Sequence, residues 1–342
     1  MSQVALSQVT RVPSNKPFAR RLQALIAWLT ICLPTALAAV PLHPSSPPFS
    51  LDDTAALFVR DVVYGPHERN TLDIFLPANT YAAKRPTPLV VFIHGGGFSS
   101  GSKKKAYNRG NRQELAQLLQ HGIAYASIDY PLLERNERQG LLKSLHGARR
   151  ALQFLRLNRE AYNIDPERIV LLGSSAGGST ALWLALHDDM ADPHSQDPVE
   201  RQSTRVRGAV VTEVQATLDI LRWEEVFKEY RFTADTLEKA KELYGIETLQ
   251  QLHDPRIVQY RHEVDLLRLM DSADPEIWVA NRNILVTAPK NASILYHHPY
   301  HARALQEQAL RVGLKGQFHI PQMNIMPTEQ ESAFDFILRK VR

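Results

Sequence analysis

The sequence predicts an α/β fold in which a mostly parallel central sheet is flanked by helices on both faces. Strand-like and helix-like segments alternate along most of the 342 residues. Several strand-like segments, such as 88–93, are continuous apolar runs, which are typical of strands buried on both faces. The apolar fraction of 44% and the charged fraction of 22% are ordinary for a globular protein and argue against wholesale disorder.

Each element is predicted from its periodicity and from the turn residues that flank it. Two strands joined by a Gly-Pro turn come first, and apolar runs bounded by turn residues predict the later strands. Apolar residues at three- and four-residue spacing predict amphipathic helices. The predicted strands are 57–65, 70–77, 88–93, 122–130, 167–173, 206–214, 283–289 and 315–321. The predicted helices are 111–120, 141–162, 176–190, 301–313 and 329–341.

One long segment interrupts this alternation. Residues 219–277 contain no convincing strand and are predicted to form several helices, one of which spans 234–244 and stops at Gly245. Insertions at strand ends commonly shape active sites, so we expect a helical cap over a substrate pocket. The alternative is an ordinary helical insertion packed on the sheet.

The first 38 residues have the features of a secretory signal peptide. Two arginines precede an apolar run, and Ala36-Leu37-Ala38 provides a small-x-small cleavage site. We expect export to the periplasm or the extracellular space after cleavage near Ala38, with no stable membrane association afterwards. The alternative is membrane anchoring through the N-terminal helix. Residues 39–55 are rich in Pro and Ser and are predicted to be a linker, which leaves 56–342 as the main domain.

Charge and cysteine content narrow the function classes. The formal net charge of +4 equals the four basic residues of the first 38 positions, so the rest of the chain carries no net charge. Nothing then indicates nucleic-acid binding. The only cysteine, Cys32, lies inside the predicted signal peptide, so a mature chain has no disulfide and no thiolate nucleophile. The sequence does not indicate the oligomeric state.

A candidate nucleophile lies in the segment Gly-Ser-Ser-Ala-Gly, which matches the pattern G-x-S-x-G. Small residues at Gly173 and Gly177 allow a sharp turn that exposes the central side chain at the start of a helix. Ser175 occupies that central position, and we expect it to be the nucleophile. The bare pattern is common by chance, but here a predicted strand precedes it and a predicted helix follows.

A second glycine motif, His94-Gly95-Gly96-Gly97, follows a predicted strand. Consecutive glycines leave backbone N–H groups unobstructed, and we expect those of Gly96 and Gly97, with that of Ala176, to form an oxyanion hole. His94 is expected to orient this loop by hydrogen bonding. Neither glycine motif contains the Gly-Lys-Ser/Thr sequence that a phosphate-binding loop needs.

A basic run, Lys103–Lys105, follows the glycine loop. Charge runs usually face solvent, and we expect the same here. The alternative is electrostatic steering of an anionic substrate.

These motifs resemble those of the α/β-hydrolase superfamily, in its carboxylesterase and hormone-sensitive-lipase-like branch. The segments "FIHGGGF" and "DPERIVLLGSSAGG" carry the resemblance, and "VVYGPHERNTLDIFLP" is similar to the early strands of its feruloyl-esterase-like subset. The similarity spans about 59–342, apart from the helical insertion. It implies an α/β-hydrolase fold and hydrolysis of carboxylic esters by Ser175, with Gly96, Gly97 and Ala176 as oxyanion donors and with no metal or organic cofactor.

The acid that this superfamily uses to orient its histidine is missing from its usual place. The resemblance implies a carboxylate after the predicted strand 283–289. Residues 281–306 contain no Asp or Glu, and Ala292 and Ser293 stand near the expected position.

The histidine is also missing from its usual place after the last predicted strand. No histidine occurs from 320 to the C-terminus, and Asn324, whose amide cannot accept the serine proton, stands near the expected position. His319 is expected to be buried within the last strand. A serine hydroxyl without a base is a poor nucleophile, so proton transfer is the doubtful step.

Residues elsewhere could replace the relay. Three histidines follow the penultimate predicted strand: His297, His298 and His301. Glu213 ends the predicted strand before it, so we hypothesise a relay of Ser175, His298 and Glu213. The alternative is a polar helix start at Pro299, and no acidic residue accompanies the histidines as a metal site would favour.

The sequence therefore predicts an exported serine hydrolase acting on small carboxylic esters, such as acylated carbohydrates or short acyl esters. The alternative is a binding protein that retains the fold and pocket but has lost the proton relay. Neither function calls for a cofactor, a metal or a nucleic-acid partner.

Overall fold

The computed structural model describes residues 42–51, 56–78, 85–134, 138–228, 234–286, 289 and 291–342. The predicted signal peptide with Cys32 lies outside these residues, as does part of the predicted linker. No helix of the described residues is long and apolar enough to cross a membrane.

Within the described residues, eight strands form one sheet in the order β1-β2-β4-β3-β5-β6-β7-β8. Strand β2 runs antiparallel to both of its neighbours, and the pairs from β4 to β8 are all parallel. The strands are β1 (Leu57–Val63), β2 (Thr71–Leu76), β3 (Thr87–Ile93), β4 (Ala124–Ile128), β5 (Ile164–Ser174), β6 (Gly208–Thr212), β7 (Ile277–Ala280) and β8 (Gly316–His319). The predicted mostly parallel α/β sheet is confirmed.

Helices connect the strands and cover both faces of the sheet. They are α1 (Arg109–Gln120), α2 (Leu142–Leu157), α3 (Ala176–Leu186), α4 (Trp223–Val226), α5 (Ala234–Tyr244), α6 (Pro255–Glu263), α7 (Leu266–Leu269), α8 (Ala292–Tyr296), α9 (Pro299–Val312) and α10 (Ala333–Val341). Short 3₁₀ turns occur at Lys103–Tyr107, Ile220–Arg222, Leu249–His253, Pro321–Met323 and Thr328–Gln330.

Alternate residues of the central strands enter two separate cores. In β3, Leu89, Val91 and Ile93 pack in the core that includes α2, α3 and α9. Val90 and Phe92, on the other face, pack in the core that includes α1 and α10. Burial of each such side chain contributes about 1.5–3 kcal/mol, so the continuous apolar runs of the sequence stabilise both faces at once.

Within its described residues, the segment between β6 and β7 contains no strand, and its helices α4 to α7 are joined by 3₁₀ turns and loops. Its start is fixed by Asp219, which is 2% exposed. Arg261 of α6 donates to both carboxylate oxygens of Asp219, over 2.8 and 3.0 Å. A fork of this kind is geometrically specific, so it fixes α6 against the first turn of the segment.

The predicted strand at 283–289 is wrong, because the strand lies earlier in the chain. β7 comprises Ile277–Ala280, and all four of its residues are buried. Ile284 and Leu285 are 79% and 40% exposed, so the apolar residues of the predicted segment do not enter the core. The helical segment therefore ends at residue 276, one residue before the predicted end of the insertion 219–277.

Helix α3 approaches the sheet so closely that only glycine fits at two positions. A Cβ atom on Gly177 would lie 2.1 Å from the carbonyl oxygen of Ile93, and one on Gly173 would lie 2.6 Å from the carbonyl oxygen of Gly177. The backbone atoms involved cannot move aside without disturbing β3 and β5. The motif glycines are therefore required by the contact between the helix and the strands.

We expect Gly177→Ala to lower the free energy of unfolding by about 1–3 kcal/mol, because the added methyl group overlaps a backbone carbonyl. Urea denaturation measures this change. The matched control is Gly110→Ala in α1, where a Cβ atom meets nothing within 4 Å. That substitution should leave stability unchanged or raise it by up to about 1 kcal/mol. Equal effects of the two substitutions would contradict the packing argument.

Candidate active site

Ser175 lies in the sharp turn between β5 and α3. Its backbone has φ 53° and ψ −129°, a conformation that a residue other than glycine rarely adopts. The N–H of Ser175 donates to the carbonyl oxygen of Thr212 at the end of β6, over 3.0 Å. The strained turn is thus held by the neighbouring strand, as in a nucleophile elbow.

The partner of Ser175 is His297. The Oγ atom of Ser175 lies 2.8 Å from Nε2 of His297, which is within hydrogen-bond range. The other ring nitrogen, Nδ1, lies 2.9 Å from the carbonyl oxygen of Ser293, one turn earlier in α8. A carbonyl oxygen can only accept, so Nδ1 carries the proton. In the neutral ring, Nε2 then presents its lone pair to the serine hydroxyl.

Two asparagines hold the backbone of His297. Asn281 follows β7 and is fully buried, and its side-chain amide donates to the carbonyl oxygen of His297 over 2.9 Å. Asn283 donates to the same oxygen over 3.0 Å. The side-chain oxygen of Asn281 accepts from the N–H of Asn283, so the two amides support each other. These bonds tie the histidine to the carboxyl end of β7.

The prediction that His298 is the displaced base is wrong. His298 is the N-cap of α9, and its Nδ1 accepts from the N–H of Tyr300 over 3.1 Å. Its Nε2 lies 2.8 Å from the carbonyl oxygen of Val286, to which it donates. Both ring nitrogens are therefore engaged away from Ser175. Burial lowers the pKa of His298 and so favours its neutral form.

The structure also does not bring Glu213 onto the histidine. Glu213 lies directly after β6 and lines the cleft, with φ 55°. Among the described residues no side chain hydrogen-bonds to its carboxylate, and Nδ1 of His297 contacts the carbonyl of Ser293 instead. Neither His298 nor Glu213 therefore makes the contacts that the hypothesised relay required.

The other candidate residues, His301, His319 and Asn324, do not contact Ser175. His301 is fully buried, its Nδ1 accepts from the N–H of Ala216, and its Nε2 donates to the carbonyl oxygen of Leu295. Desolvation lowers the pKa of His301 to about 3, so the ring is neutral in the folded protein. His319 ends β8 and is only partly buried, and Asn324 lies in an exposed turn.

The glycine loop lies against the serine elbow. A Cβ atom on Gly95 would lie 2.5 Å from the carbonyl oxygen of Ser174 and 3.2 Å from Cβ of Ser175. Gly96 has φ 137° and Gly97 has φ 60°, conformations that favour glycine. The loop thereby brings its backbone next to Ser175, which a larger residue at position 95 would prevent.

His94 supports this loop from beneath. It is fully buried and stacks on Tyr130, with ring centroids 4.3 Å apart, and the Tyr130 hydroxyl donates to its carbonyl oxygen. Its Nδ1 donates to the carbonyl oxygen of Gly95 over 3.1 Å. The Nε2 side faces Arg69 and Asp129, each 3.5 Å away. The ring contacts the loop by hydrogen bonding and does not contact Ser175.

The three lysines after the loop do not share one environment. Lys103 is 3% exposed and pairs with Asp61 at 2.6 Å and with Asp73 at 3.2 Å. Lys104 is exposed, whereas Lys105 lines the cleft and donates to the carbonyl oxygen of Gly95 over 2.8 Å. The expectation of a solvated run holds only for Lys104, because the 3₁₀ turn points its neighbours inward.

Ser175 lines a cleft with a volume of about 970 Å³. The helical segment after β6 contributes Ile220, Trp223 and Leu243 to its wall, so this segment forms part of the pocket. Residues of α1 and Trp278 of β7 also line the cleft. Burial raises the pKa of Glu114, one of these α1 residues. Among the described residues, no group of three His, Cys, Asp or Glu side chains is placed to hold a metal ion.

A family model named BD-FAE matches residues 72–259, which is more than half of the chain. The chain belongs to the BD-FAE family. The matched region contains Ser175, the glycine loop and much of the helical segment that lines the cleft. The sequence resemblance of this BD-FAE member to the α/β-hydrolase superfamily is confirmed.

The alignments with known proteins of related sequence cover only part of each relative's length. A probable isoprenylcysteine alpha-carbonyl methylesterase of Oryza sativa subsp. japonica is 35% identical over 139 residues, which are 40% of this chain and 30% of that protein. An isoprenylcysteine alpha-carbonyl methylesterase of Arabidopsis thaliana is 37% identical over 123 residues, which are 36% of this chain and 26% of that protein. The BD-FAE member therefore matches less than a third of the length of these curated relatives.

A solved structure supports the fold. A truncated form of a carbohydrate esterase from gut microbiota aligns with a TM-score of 0.60 and 16% identity, covering 85% of this chain and 98% of that chain. At this identity the likeness concerns the fold alone.

The sequence prediction named His297 among three candidate histidines but chose His298, and it missed Asn281. The misplaced strand hid Asn281, which directly follows the true β7. Pro299 offered the signal for the histidine, because proline favours the first helical position and so makes His298 the N-cap. A capping side chain turns back onto its own helix, so among these two neighbours His297 is the one whose ring can reach Ser175.

The buried neutral ring of His301 predicts a pH dependence of stability in this BD-FAE member. Its pKa is lower in the folded than in the unfolded chain, so its contribution is complete above about pH 6.5 and is lost as the pH falls toward 3. Between about pH 7 and pH 4.5 we expect wild type to lose about 2 kcal/mol more than His301→Gln. Urea denaturation at both pH values measures the difference, and parallel losses would contradict the assignment.

Proposed function

We propose that this protein hydrolyses carboxylic esters through an acyl intermediate on Ser175, with His297 as the general base. The observation that carries the proposal is the 2.8 Å contact between Ser175 Oγ and His297 Nε2 at a strained elbow. Family membership and the esterase neighbours support an ester substrate. Acyl transfer requires a nucleophile that is hydrogen-bonded to a correctly oriented base.

The first step is attack on the ester carbonyl. The Ser175 Oγ–carbon bond forms while the hydroxyl proton moves to Nε2 of His297, and the carbonyl electron pair moves onto oxygen. We assign the N–H groups of Gly96, Gly97 and Ala176 as donors to this oxyanion. Support comes from the glycine conformations and from the contact of Gly95 with the elbow.

The remaining steps return the enzyme to its starting state. The tetrahedral intermediate collapses, its carbon–oxygen bond to the leaving alcohol breaks, and Nε2 of His297 gives its proton to that alcohol. Water then attacks the acyl-Ser175 ester with His297 again accepting a proton. Collapse of this second intermediate releases the acid and returns the proton to Ser175.

A main-chain carbonyl takes the place of the usual carboxylate. In serine hydrolases the carboxylate fixes the histidine tautomer and stabilises the imidazolium that forms. The carbonyl of Ser293 fixes the same tautomer but carries only a partial charge. We therefore propose a competent but slower relay than one with a carboxylate.

The cleft supports a small ester with apolar substituents. Its wall combines aliphatic and aromatic side chains, including Phe92, Leu172 and Trp223. Buried apolar area supplies binding energy, whereas the few polar groups fix orientation. One sequence relative is a methylesterase and the structural neighbour is a carbohydrate esterase, so short esters of either kind are the first substrates to test.

Neighbouring histidines provide a sharp test. With p-nitrophenyl acetate we expect Ser175→Ala to abolish turnover and His297→Ala to lower kcat/KM by about 10²–10⁴-fold, because the base is lost. His298→Asn keeps an N-cap side chain and should change kcat/KM by less than about threefold.

Labelling by a fluorophosphonate separates the alternatives. Wild type should be labelled at Ser175, and His297→Ala should react far more slowly. A wild-type protein that neither turns over the ester nor reacts with the probe would be a binding protein without a relay. A loss of activity in His298→Asn equal to that in His297→Ala would overturn the choice of base.

We further propose that the protein is exported, on the basis of the signal-like first 38 residues. Expression of the full chain with intact-mass analysis of the secreted fraction should show a product that begins near residue 39. A full-length product retained in the membrane fraction would support the anchored alternative instead.

A further inference from the structure

The peptide group between Gly95 and Gly96 accepts a hydrogen bond from the Lys105 side chain at its carbonyl oxygen. Its carbonyl oxygen accepts from Nζ of Lys105 over 2.8 Å and from Nδ1 of His94 over 3.1 Å. The N–H of the same peptide belongs to Gly96, one of the donors assigned above to the oxyanion. We propose that Lys105 is a positioning residue that polarises this peptide and strengthens the Gly96 N–H as an oxyanion donor.

The physical reason is the electronic coupling within a peptide group. Resonance gives the C–N bond partial double-bond character, so charge withdrawn at the carbonyl oxygen is drawn from the nitrogen. A charged donor on the oxygen therefore makes the N–H more positive, and chains of such bonds strengthen one another. The effect grows as negative charge develops on the substrate oxygen, so it favours the transition state over bound substrate.

The backbone around Lys105 is fixed, which keeps the ammonium group in place. The carbonyl oxygen of Lys105 accepts from the Asn111 side chain over 2.9 Å and from the N–H of Asn108 over 3.2 Å. Lys103, two residues earlier in the same turn, is anchored by its two ion pairs below. The turn thereby points Lys105 toward the glycine loop, whereas Lys104 faces solvent.

The charge of Lys105 is not cancelled by a direct partner. Among the described residues, no carboxylate forms an ion pair with it. The other charged side chains that line the cleft are Glu114, Glu213, Lys239 and Arg282. A cation on the carbonyl side of the loop therefore adds positive potential where the oxyanion forms, and the relay has no carboxylate that would oppose it.

This inference rests on the proposed function, and kinetics with p-nitrophenyl acetate test it. We expect Lys105→Met to lower kcat about tenfold with little change in KM, a smaller loss than removal of a whole oxyanion donor. Lys105→Arg keeps the charge and should retain most of kcat. The matched control is Lys104→Met, which removes the same charge from the exposed neighbour and should leave kcat unchanged.

A second variant separates charge from packing. Lys105→Gln keeps a donor to the Gly95 carbonyl without the charge, and it should lose as much kcat as Lys105→Met. Affinity for an alkylboronic acid, whose tetrahedral adduct places an oxygen at the oxyanion position, should fall in parallel with kcat/KM. These two readouts decide the matter even where Lys105→Met fails to fold.

The outcomes distinguish this inference from the function on which it rests. Wild-type kcat in Lys105→Met or Lys105→Gln, together with loss of turnover in Ser175→Ala, would overturn the role of Lys105 and leave the esterase proposal standing. An equal loss in Lys104→Met would also overturn it, because the effect would then be one of net charge. Absence of Ser175-dependent turnover in wild type would overturn the esterase proposal itself.

Discussion

The arrangement of the site depends on the bond between Nδ1 of His297 and the carbonyl oxygen of Ser293. This 2.9 Å contact fixes which ring nitrogen carries the proton, and so decides whether Nε2 can accept the proton of Ser175. It lies within one turn of a five-residue helix that is exposed at its start. Asn281 supplies the rigidity that so short a helix lacks, because it is buried and bonded to the backbone of His297.

Much of the fold could be predicted because buried parallel strands leave a plain signal. The continuous apolar runs of β3 and β5, and the glycines that border them, correspond to two packed faces and to a close approach of α3. β7 escaped prediction because four residues are too few to show a period. The apolar segment at 283–286 gave a stronger pattern, although Ile284 faces solvent.

The site was predictable where chemistry is local in sequence and unpredictable where it is not. Ser175 and Gly95–Gly97 are identified by residue types that a tight turn requires. The same local motifs therefore locate these residues and indicate the roles proposed for them. Pro299 indicates that His298 caps α9, but which histidine reaches Ser175 depends on three-dimensional contacts. A main-chain carbonyl that replaces a carboxylate leaves no trace in the sequence at all, since every residue has one. The role proposed for Lys105 likewise depends on a turn that gives its side chain a different environment from those of Lys103 and Lys104.

The ¹⁵N NMR spectrum of the His297 imidazole tests the central claim most directly. With ¹⁵N-labelled histidine, and with His297→Gln to assign the signal, the neutral ring at mildly alkaline pH is expected to carry its proton on Nδ1. Its Nε2 should show the shift of an unprotonated nitrogen that accepts a hydrogen bond, and Ser175→Ala should perturb Nε2 alone. A proton on Nε2 would contradict the account, because that ring could not take the proton of Ser175.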